Sequence, residues 1–421
     1  MHFSYEMKTK ISRNLNFIIA GLFYSSFLLA ATFTIANPVL IEIGRSLNES
    51  AVTTGYIFTF LSLGFLSGAV ISGFACKKWQ RGRVLGAAFL LQVIGFAAFG
   101  LSRNLYIAYS LFLVLGIAAG IINVQINGII GELPRKNSGL LFNLLHMFFG
   151  LGALIAPIIS SVAIHSGLGW QFAFFVISFF SFINLVGFLF IKIPDADDYK
   201  AKNYCTLEDL NTSEEIYCKS PSNVIKSGSR FDISVFSLLA ITMVFSTAAQ
   251  NGLSFWMPTY LREVRSVSEV VSGWSLSLFW GMLAIGRLLA GILSRRVRLE
   301  FIIMVSGFGA FGSALLAVST GNPLIYITMF GLAGFFTAVF FPGIISIGSS
   351  YYPGVRNNVI TALVALAGIG TILGSFLANV IYRFSDIGVA MFTVSSFSII
   401  CFICMAAIMI VQKIRQRDDH R

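Results

Sequence analysis

The sequence predicts an all-α integral membrane protein: 12 transmembrane helices in two pseudo-symmetric six-helix bundles (6+6), with both termini cytoplasmic. Three observations carry this prediction. The chain has 421 residues, 56% hydrophobic and only 11% charged, against roughly 25% charged for a soluble domain; its mean hydropathy is +0.83. It contains twelve apolar stretches, each near the length of about 20 residues that a bilayer crossing needs. Its second half repeats the first at a lag of 215 to 220 residues. Pro38 falls on Pro258, Gly68 and Gly73 on Gly286 and Gly291, Gly116 and Gly128 on Gly331 and Gly343, and Gly150 and Gly152 on Gly368 and Gly370. Such a duplication usually means two bundles that rock about a site between them.

The expected spans lie near 15–40, 52–75, 84–101, 105–130, 139–165 and 170–193 in the first half. Those of the second half lie near 232–256, 269–293, 299–319, 323–347, 357–382 and 387–411. The chain therefore divides into an N-terminal bundle (1–193), a cytoplasmic linker (194–231), a C-terminal bundle (232–412) and a cytoplasmic tail (413–421). No cleavable signal is expected, because the first apolar stretch is too long and lacks a small-residue cleavage site. The linker mixes Asp195, Asp197, Asp198, Glu208 and Glu214 with Lys200, Lys202 and Lys219, the pattern of a solvated loop.

Charge placement sets the orientation. Of 29 Lys and Arg, five (Arg45, Arg103, Arg262, Arg265, Arg383) fall on one side and Arg287 falls inside a span, which leaves 23 on the side of the termini. Positive residues mark the cytoplasmic side, so the net charge of +11 reflects topology and not nucleic acid. The localisation expected is a cell (plasma or inner) membrane. Cys205 and Cys218 fall in the linker, where thiols stay reduced, and no Cys/His cluster has metal-ligand spacing, so no cofactor is expected. Asn48-Glu-Ser50 is a glycosylation triplet that matters only in a secretory pathway. Gly64, Gly68 and Gly73 line one side of span 2, and Gly116 and Gly120 have GxxxG spacing in span 4, so these helices should pack closely. Gly150, Gly152 and Pro157 predict a bendable span 5.

Twelve spans, a 6+6 duplication and a long central loop resemble the major facilitator superfamily over essentially the whole chain. The loop Gly73-Phe-Ala-Cys-Lys-Lys-Trp-Gln-Arg-Gly-Arg83 resembles a degenerate form of that family's glycine/basic motif, with Lys77 where an Asp is usual. Its counterpart is Gly286-Arg287-Leu-Leu-Ala-Gly291-Ile-Leu-Ser-Arg295-Arg296. Asn143-Leu-Leu-His146-Met-Phe-Phe-Gly150-Leu-Gly152, Gly116-Ile-Ala-Ala-Gly120 with Asn127-Gly128, and Gln250-Asn-Gly-Leu-Ser-Phe-Trp256 are similar to the fucose/glucose/galactose sugar:proton symporter branch. The resemblance implies sugar transport by symport with H+. Asn123 and Gln250 stand where that branch often carries acids, so sugar binding carries over more directly than proton coupling.

Polar side chains in a bilayer need a partner or a wet cavity, and here they are few. Asn123 and Asn127 are four apart on one face of span 4; Asn143 and His146 are three apart on one face of span 5. The antiparallel run of these spans sets Asn127 level with Asn143 and Asn123 level with His146, in the cytoplasmic half. Gln125 points to another face and reads as a packing contact. The outer half offers Asn37, Gln250, Asn251 and Trp256, with Trp274 and Trp280 on span 8. Amides that donate and accept, with an indole platform, suit the hydroxyl rim and apolar face of a sugar; the alternative for each is interhelical bonding that only holds the bundle together. Trp274 and Trp280 read more readily as anchors or packing. His146 titrates near physiological pH, so it could hold a coupling proton, donate to a substrate hydroxyl, or be a neutral histidine bonded to a neighbouring helix. Arg287 reads as a gate or structural residue whose side chain reaches towards water.

The function expected is secondary active transport of a small polar solute, a monosaccharide first, by alternating access in a monomer. The alternatives are efflux of drugs or other small solutes and, remotely, a membrane sensor or enzyme. No phosphate-binding loop or catalytic cluster supports direct ATP use or enzyme chemistry. At the same lags, Asn123, Gln125, Asn127, Asn143 and His146 map onto Ala338, Phe340, Pro342, Thr361 and Val364, while Gln250 and Asn251 map back onto Ala30 and Ala31. The places where the halves differ are where substrate is expected.

Overall fold

The computed structural model describes residues 2–132, 138–189 and 232–418. The linker 194–231, with Cys205 and Cys218, lies outside the described residues. Twelve helical units are long and apolar enough to cross a membrane, six in each half, and no strand occurs among the described residues. The first half contains α1 (His2–Thr34), α2 (Leu40–Ser46), α3 (Ala51–Lys78), α4 (Arg81–Leu101), α5 (Leu105–Glu132), α6 (Ser138–His165) and α7 (Trp170–Leu189). The second contains α8 (Ile233–Glu263), α9 (Glu269–Leu293), α10 (Leu299–Ser319), α11 (Pro323–Thr337), α12 (Phe340–Tyr351), α13 (Arg356–Phe384) and α14 (Ile387–Asp418).

Two spans are broken, and a proline explains each. Span 1 is α1 and α2, joined by a 3-10 turn at Asn37–Val39; Pro38 lacks the amide hydrogen that would continue the helix. Span 10 is α11 and α12, interrupted at Ala338 and Val339, the turn that precedes Pro342. Pro157 and Pro258 remain inside α6 and α8.

The caps show how faithful the duplication is. Ser50 accepts the amide of Thr53 and starts α3; 218 residues later Ser268 accepts the amide of Val271 and starts α9. Asn104 accepts from Tyr106 and Ile107, and Asn322, again 218 on, accepts from Leu324 and Ile325. Each cap satisfies amides that the first helical turn leaves open.

Packing corrects the expected register of span 4. A Cβ on Gly116 would meet the carbonyl oxygen of Leu61, and one on Gly334 would meet that of Phe279. Both pairs are related by 218, so Gly116 matches Gly334 and not Gly331. Gly331 instead matches Leu113, with a compensating exchange: Gly64 faces Leu113, whereas Gly331 faces Met282. Asn123, Gln125 and Asn127 then match Phe341, Gly343 and Ile345. In α1 and α8 the offset is 217, because Gly152 meets Phe27 where Gly370 meets Val244. Gln250 and Asn251 therefore match Phe33 and Thr34, not Ala30 and Ala31.

The halves touch chiefly through α3 with α13 and α6 with α9. Gly55 packs on Trp256 and Asn379, and its equivalent Gly273 packs on Ser161. Eleven residues further, Leu66 meets Gly368 and Ala284 meets Gly150. Eleven residues rise about 16 Å, so the contact runs through roughly half of the ~30 Å hydrocarbon thickness. Beyond it, a Cβ on Gly73 or Gly291 would meet nothing within 4 Å. The molecule thus has a closed pole and an open pole, and α1 begins at the open one.

An ion pair spans the closed pole. Arg262, at the end of α8, donates through two nitrogens to Glu42 of α2 at 2.6 and 2.5 Å, and to the Pro38 carbonyl at 3.1 Å. The two side chains are only 12% and 14% exposed, so water screens this pair less than a surface bridge.

Two outcomes follow. Gly116→Val should lower the melting temperature of detergent-purified protein, at a cost of about 2–3 kcal/mol from overpacking against backbone, while Gly73→Ala should leave it unchanged or raised. Glu42→Gln should shift the balance away from the closed pole by about 2 kcal/mol, or roughly 30-fold. The distance between spin labels on exposed Arg45 and Val264 would then lengthen. The exchange Glu42→Arg with Arg262→Glu should restore the short distance.

Candidate substrate cavity

The gap between the halves begins beneath the last inter-half contacts. Its roof is built around Ser254 of α8. Trp280 of α9 is 4% exposed and donates its indole N–H to the Ser254 hydroxyl at 3.1 Å. Asn37 donates to the Ser254 carbonyl at 3.1 Å. Phe149 of α6 stands edge-on to Trp280 with ring centres 6.1 Å apart. These contacts join both halves at one level, so the roof holds only while the closed pole is closed.

One turn from the roof towards the open pole, α8 presents Gln250 and Asn251, both half-buried. Asn251 donates to the Thr247 carbonyl at 2.9 Å and to the Thr371 hydroxyl of α13 at 3.2 Å. Gln250 has no hydrogen bond with any described residue, so its amide is free to meet a ligand or water.

Across the gap, His146 and Arg287 face each other. His146 lies one turn past Gly150 and Arg287 one turn past Ala284, and Gly150 and Ala284 are in contact. The guanidinium is near enough to act on the imidazole electrostatically. His146 is exposed to the gap and hydrogen-bonds to no described residue. The Arg287 Nε is buried without a partner, and no described carboxylate forms an ion pair with it.

On α5, Asn123 and Asn127 are half-buried and paired: the Asn127 amide donates to the Asn123 carbonyl at 2.7 Å and to its side-chain oxygen at 3.1 Å. The Asn143 side chain lies outside the described residues, as does that of Lys77. Gln125 donates to Ser72 at 2.6 Å, which makes it a helix-packing contact with α3, as expected.

The sequence candidates therefore do not form one cluster. Gln250, His146 and Arg287 have no hydrogen bond or ion pair among the described residues. Asn251, Asn123 and Asn127 are already partnered. Asn37 and Trp280 belong to the roof. Trp256 is wholly buried above it, against Gly55, Phe58 and Tyr382. Trp274, 55% exposed, is away from the cavity, which fits an anchor.

Sequence reading missed Ser254, Thr371 and Asn379. A serine or threonine in a membrane helix usually bonds its own backbone, so the first two carried no signal. Asn379 is an amide inside span 11 and could have been found by the same search that found Asn37.

Three comparisons with known proteins agree with this architecture. The profile of the Major Facilitator Superfamily matches residues 22–330. The glucose/mannose transporter GlcP of Bacillus subtilis (strain 168) is 24% identical over 343 residues, 81% of each chain. A TsgA homolog of Serratia proteamaculans (strain 568) is 22% identical over 356 residues, 83% of this chain and 84% of that one. The crystal structure of a D-xylose-proton symporter matches with a TM-score of 0.72 at 12% identity, over 93% of this chain and 97% of that chain. Because the family profile covers most of the sequence, including the first half from residue 22 onward and the roof-forming helices α8 and α9, the chain belongs to the Major Facilitator Superfamily: it is a multi-pass membrane transporter of small solutes and not an enzyme.

Proposed function

We propose that the chain carries a monosaccharide by alternating access. Solute would bind beneath the Trp280 roof, between Gln250 on one half and the α5/α6 face on the other. The observation that carries this reading is the free Gln250 amide beside an aromatic roof. An amide with unused donors and acceptors suits a hydroxyl pair, and an indole suits a C–H face. The relative that carries glucose and mannose supports the same class. The excess of Lys and Arg on the side of the termini supports a cytoplasmic open pole, in a cell membrane, with residues 194–231 as the linker between the two bundles and a single chain as the working unit.

His146 is the coupling residue in this proposal. It lies in the open half of the gap opposite Arg287 and hydrogen-bonds to no described residue, so a solute or an opening of the gap can change its surroundings. Arg287 supports a second reading, that the solute is anionic, because its charge meets no carboxylate among the described residues.

Labelled hexose uptake into proteoliposomes tests the proposal, and absence of saturable uptake under any gradient would overturn it. Gln250→Ala should raise KM about tenfold, the worth of one or two hydrogen bonds. His146→Gln should reduce accumulation driven by a proton gradient more than exchange of hexose between two compartments; equal loss of both would assign His146 to binding. Competition by hexuronates stronger than by the neutral hexoses would favour the anionic reading.

A further inference from the structure

The closed pole contains polar groups that its packing does not use. Asn379 of α13 is 0% exposed, yet neither its amide nitrogen nor its oxygen has a hydrogen-bond partner. The Trp256 indole nitrogen is likewise buried and unpartnered. The two side chains are adjacent: a Cβ on Gly55 would stand 2.1 Å from the Trp256 ring and 3.2 Å from the Asn379 oxygen. One turn from Gly55 along α3, the Thr59 hydroxyl is also buried and unpartnered.

Sealing the pole does not require these groups. The equivalent of Asn379 in the first half is Ser161, which fills the matching place against Gly273 and donates to the Pro157 carbonyl of its own helix at 2.7 Å. Asparagine in place of serine adds an amide that stays unsatisfied while the pole is closed, and an unsatisfied buried amide is costly. That cost disappears when α3 parts from α13. One turn outward from Asn379, Arg383 joins Tyr56, Tyr106 and Tyr109 in a cleft of about 520 Å³, so parting the helices would connect Asn379 to an aromatic mouth.

We infer that Asn379 and Trp256, with the Thr59 hydroxyl, form a subsite for a hydroxylated solute at the closed pole, presented when that pole opens and dismantled when it closes. It is distinct from the cavity beneath Trp280. Solute would be taken there first: the amide donates to one hydroxyl and accepts from another, and the indole N–H donates to a third. Closing then removes the space beside Gly55, which favours passage inward. This inference rests on the monosaccharide reading.

The test uses full-length protein in right-side-out and inverted membrane vesicles with labelled glucose, and the variant Asn379→Ser, which copies the first half. The expected result is a KM about tenfold higher for entry from the closed-pole side, an unchanged KM from the other side, and a melting temperature in detergent equal to or above the wild type. Tenfold corresponds to about 1.4 kcal/mol. A KM unchanged on both sides, or raised equally on both, would overturn the subsite. So would a melting temperature lowered by several degrees, since the amide would then have a structural partner. Wild-type vesicles that show no saturable glucose entry would overturn the monosaccharide reading itself, and the subsite with it; wild-type entry with an unaffected Asn379→Ser variant overturns the subsite alone. Trp256→Phe, which keeps an aromatic side chain and removes the indole N–H, should give the same one-sided change.

Discussion

Close approach of backbones between helices is the constraint on which this structure rests. In a bilayer the lipid tails are as apolar as leucine, so helices gain little by hiding apolar surface from lipid and associate through van der Waals contact and hydrogen bonds. Dispersion falls away within a fraction of an ångström, so contact requires small residues. The glycines of α3 and α5 meet carbonyl oxygens of the facing helix, and those of α9 and α11 repeat the arrangement. Within each half these contacts continue along the helices. Between the halves, among the described residues, these glycine contacts run from Gly55 to Leu66 and from Gly273 to Ala284, a shorter stretch that leaves a junction able to open.

A junction that opens must not be too favourable. Its two packed stripes are supplemented by the Glu42–Arg262 pair and the bond from Asn37 to Ser254, both between halves. Against these stand the unpartnered atoms of Asn379, Trp256 and Thr59, each costing about 1–3 kcal/mol. Attractive and unsatisfied groups at the same level bring the closed and open arrangements closer in free energy, which a carrier needs if neither state is to dominate. The cavity has a different character. Gln250 and His146 hydrogen-bond to no described residue, so a solute meeting them displaces no protein–protein bond.

The twelve spans, their order and the two broken helices follow from local causes: apolar length, proline, and capping Ser or Asn. All are visible in the sequence, and the spans were legible to within several residues, except that the first extends to Ser46, because α2 continues beyond the Pro38 break, and the seventh to Glu263. The candidate site was legible only in part. Amides and histidine in apolar helices stand out in a list, but which amide is free and which is spent depends on the facing helix. Asn127 is spent on Asn123, and Asn251 on Thr371. Gln250, with no partner among the described residues, is indistinguishable from them in sequence.

By itself, then, the sequence determined that two copies of a six-span unit lie in a membrane, because length, hydropathy and duplicated glycines need no knowledge of distant contacts. It did not determine the register of the copies. Gly331 and Gly334 are three apart, as are the offsets 215 and 218, and three residues return nearly to the same face of a helix, so either glycine satisfies the pattern. Only the carbonyl that each one touches, Phe279 for Gly334 as Leu61 for Gly116, chooses between them. The tertiary structure also decided which pole is closed, since helix packing is short-ranged and the residues that meet across the pole, Glu42 with Arg262 and Gly55 with Asn379, are hundreds of residues apart in the chain.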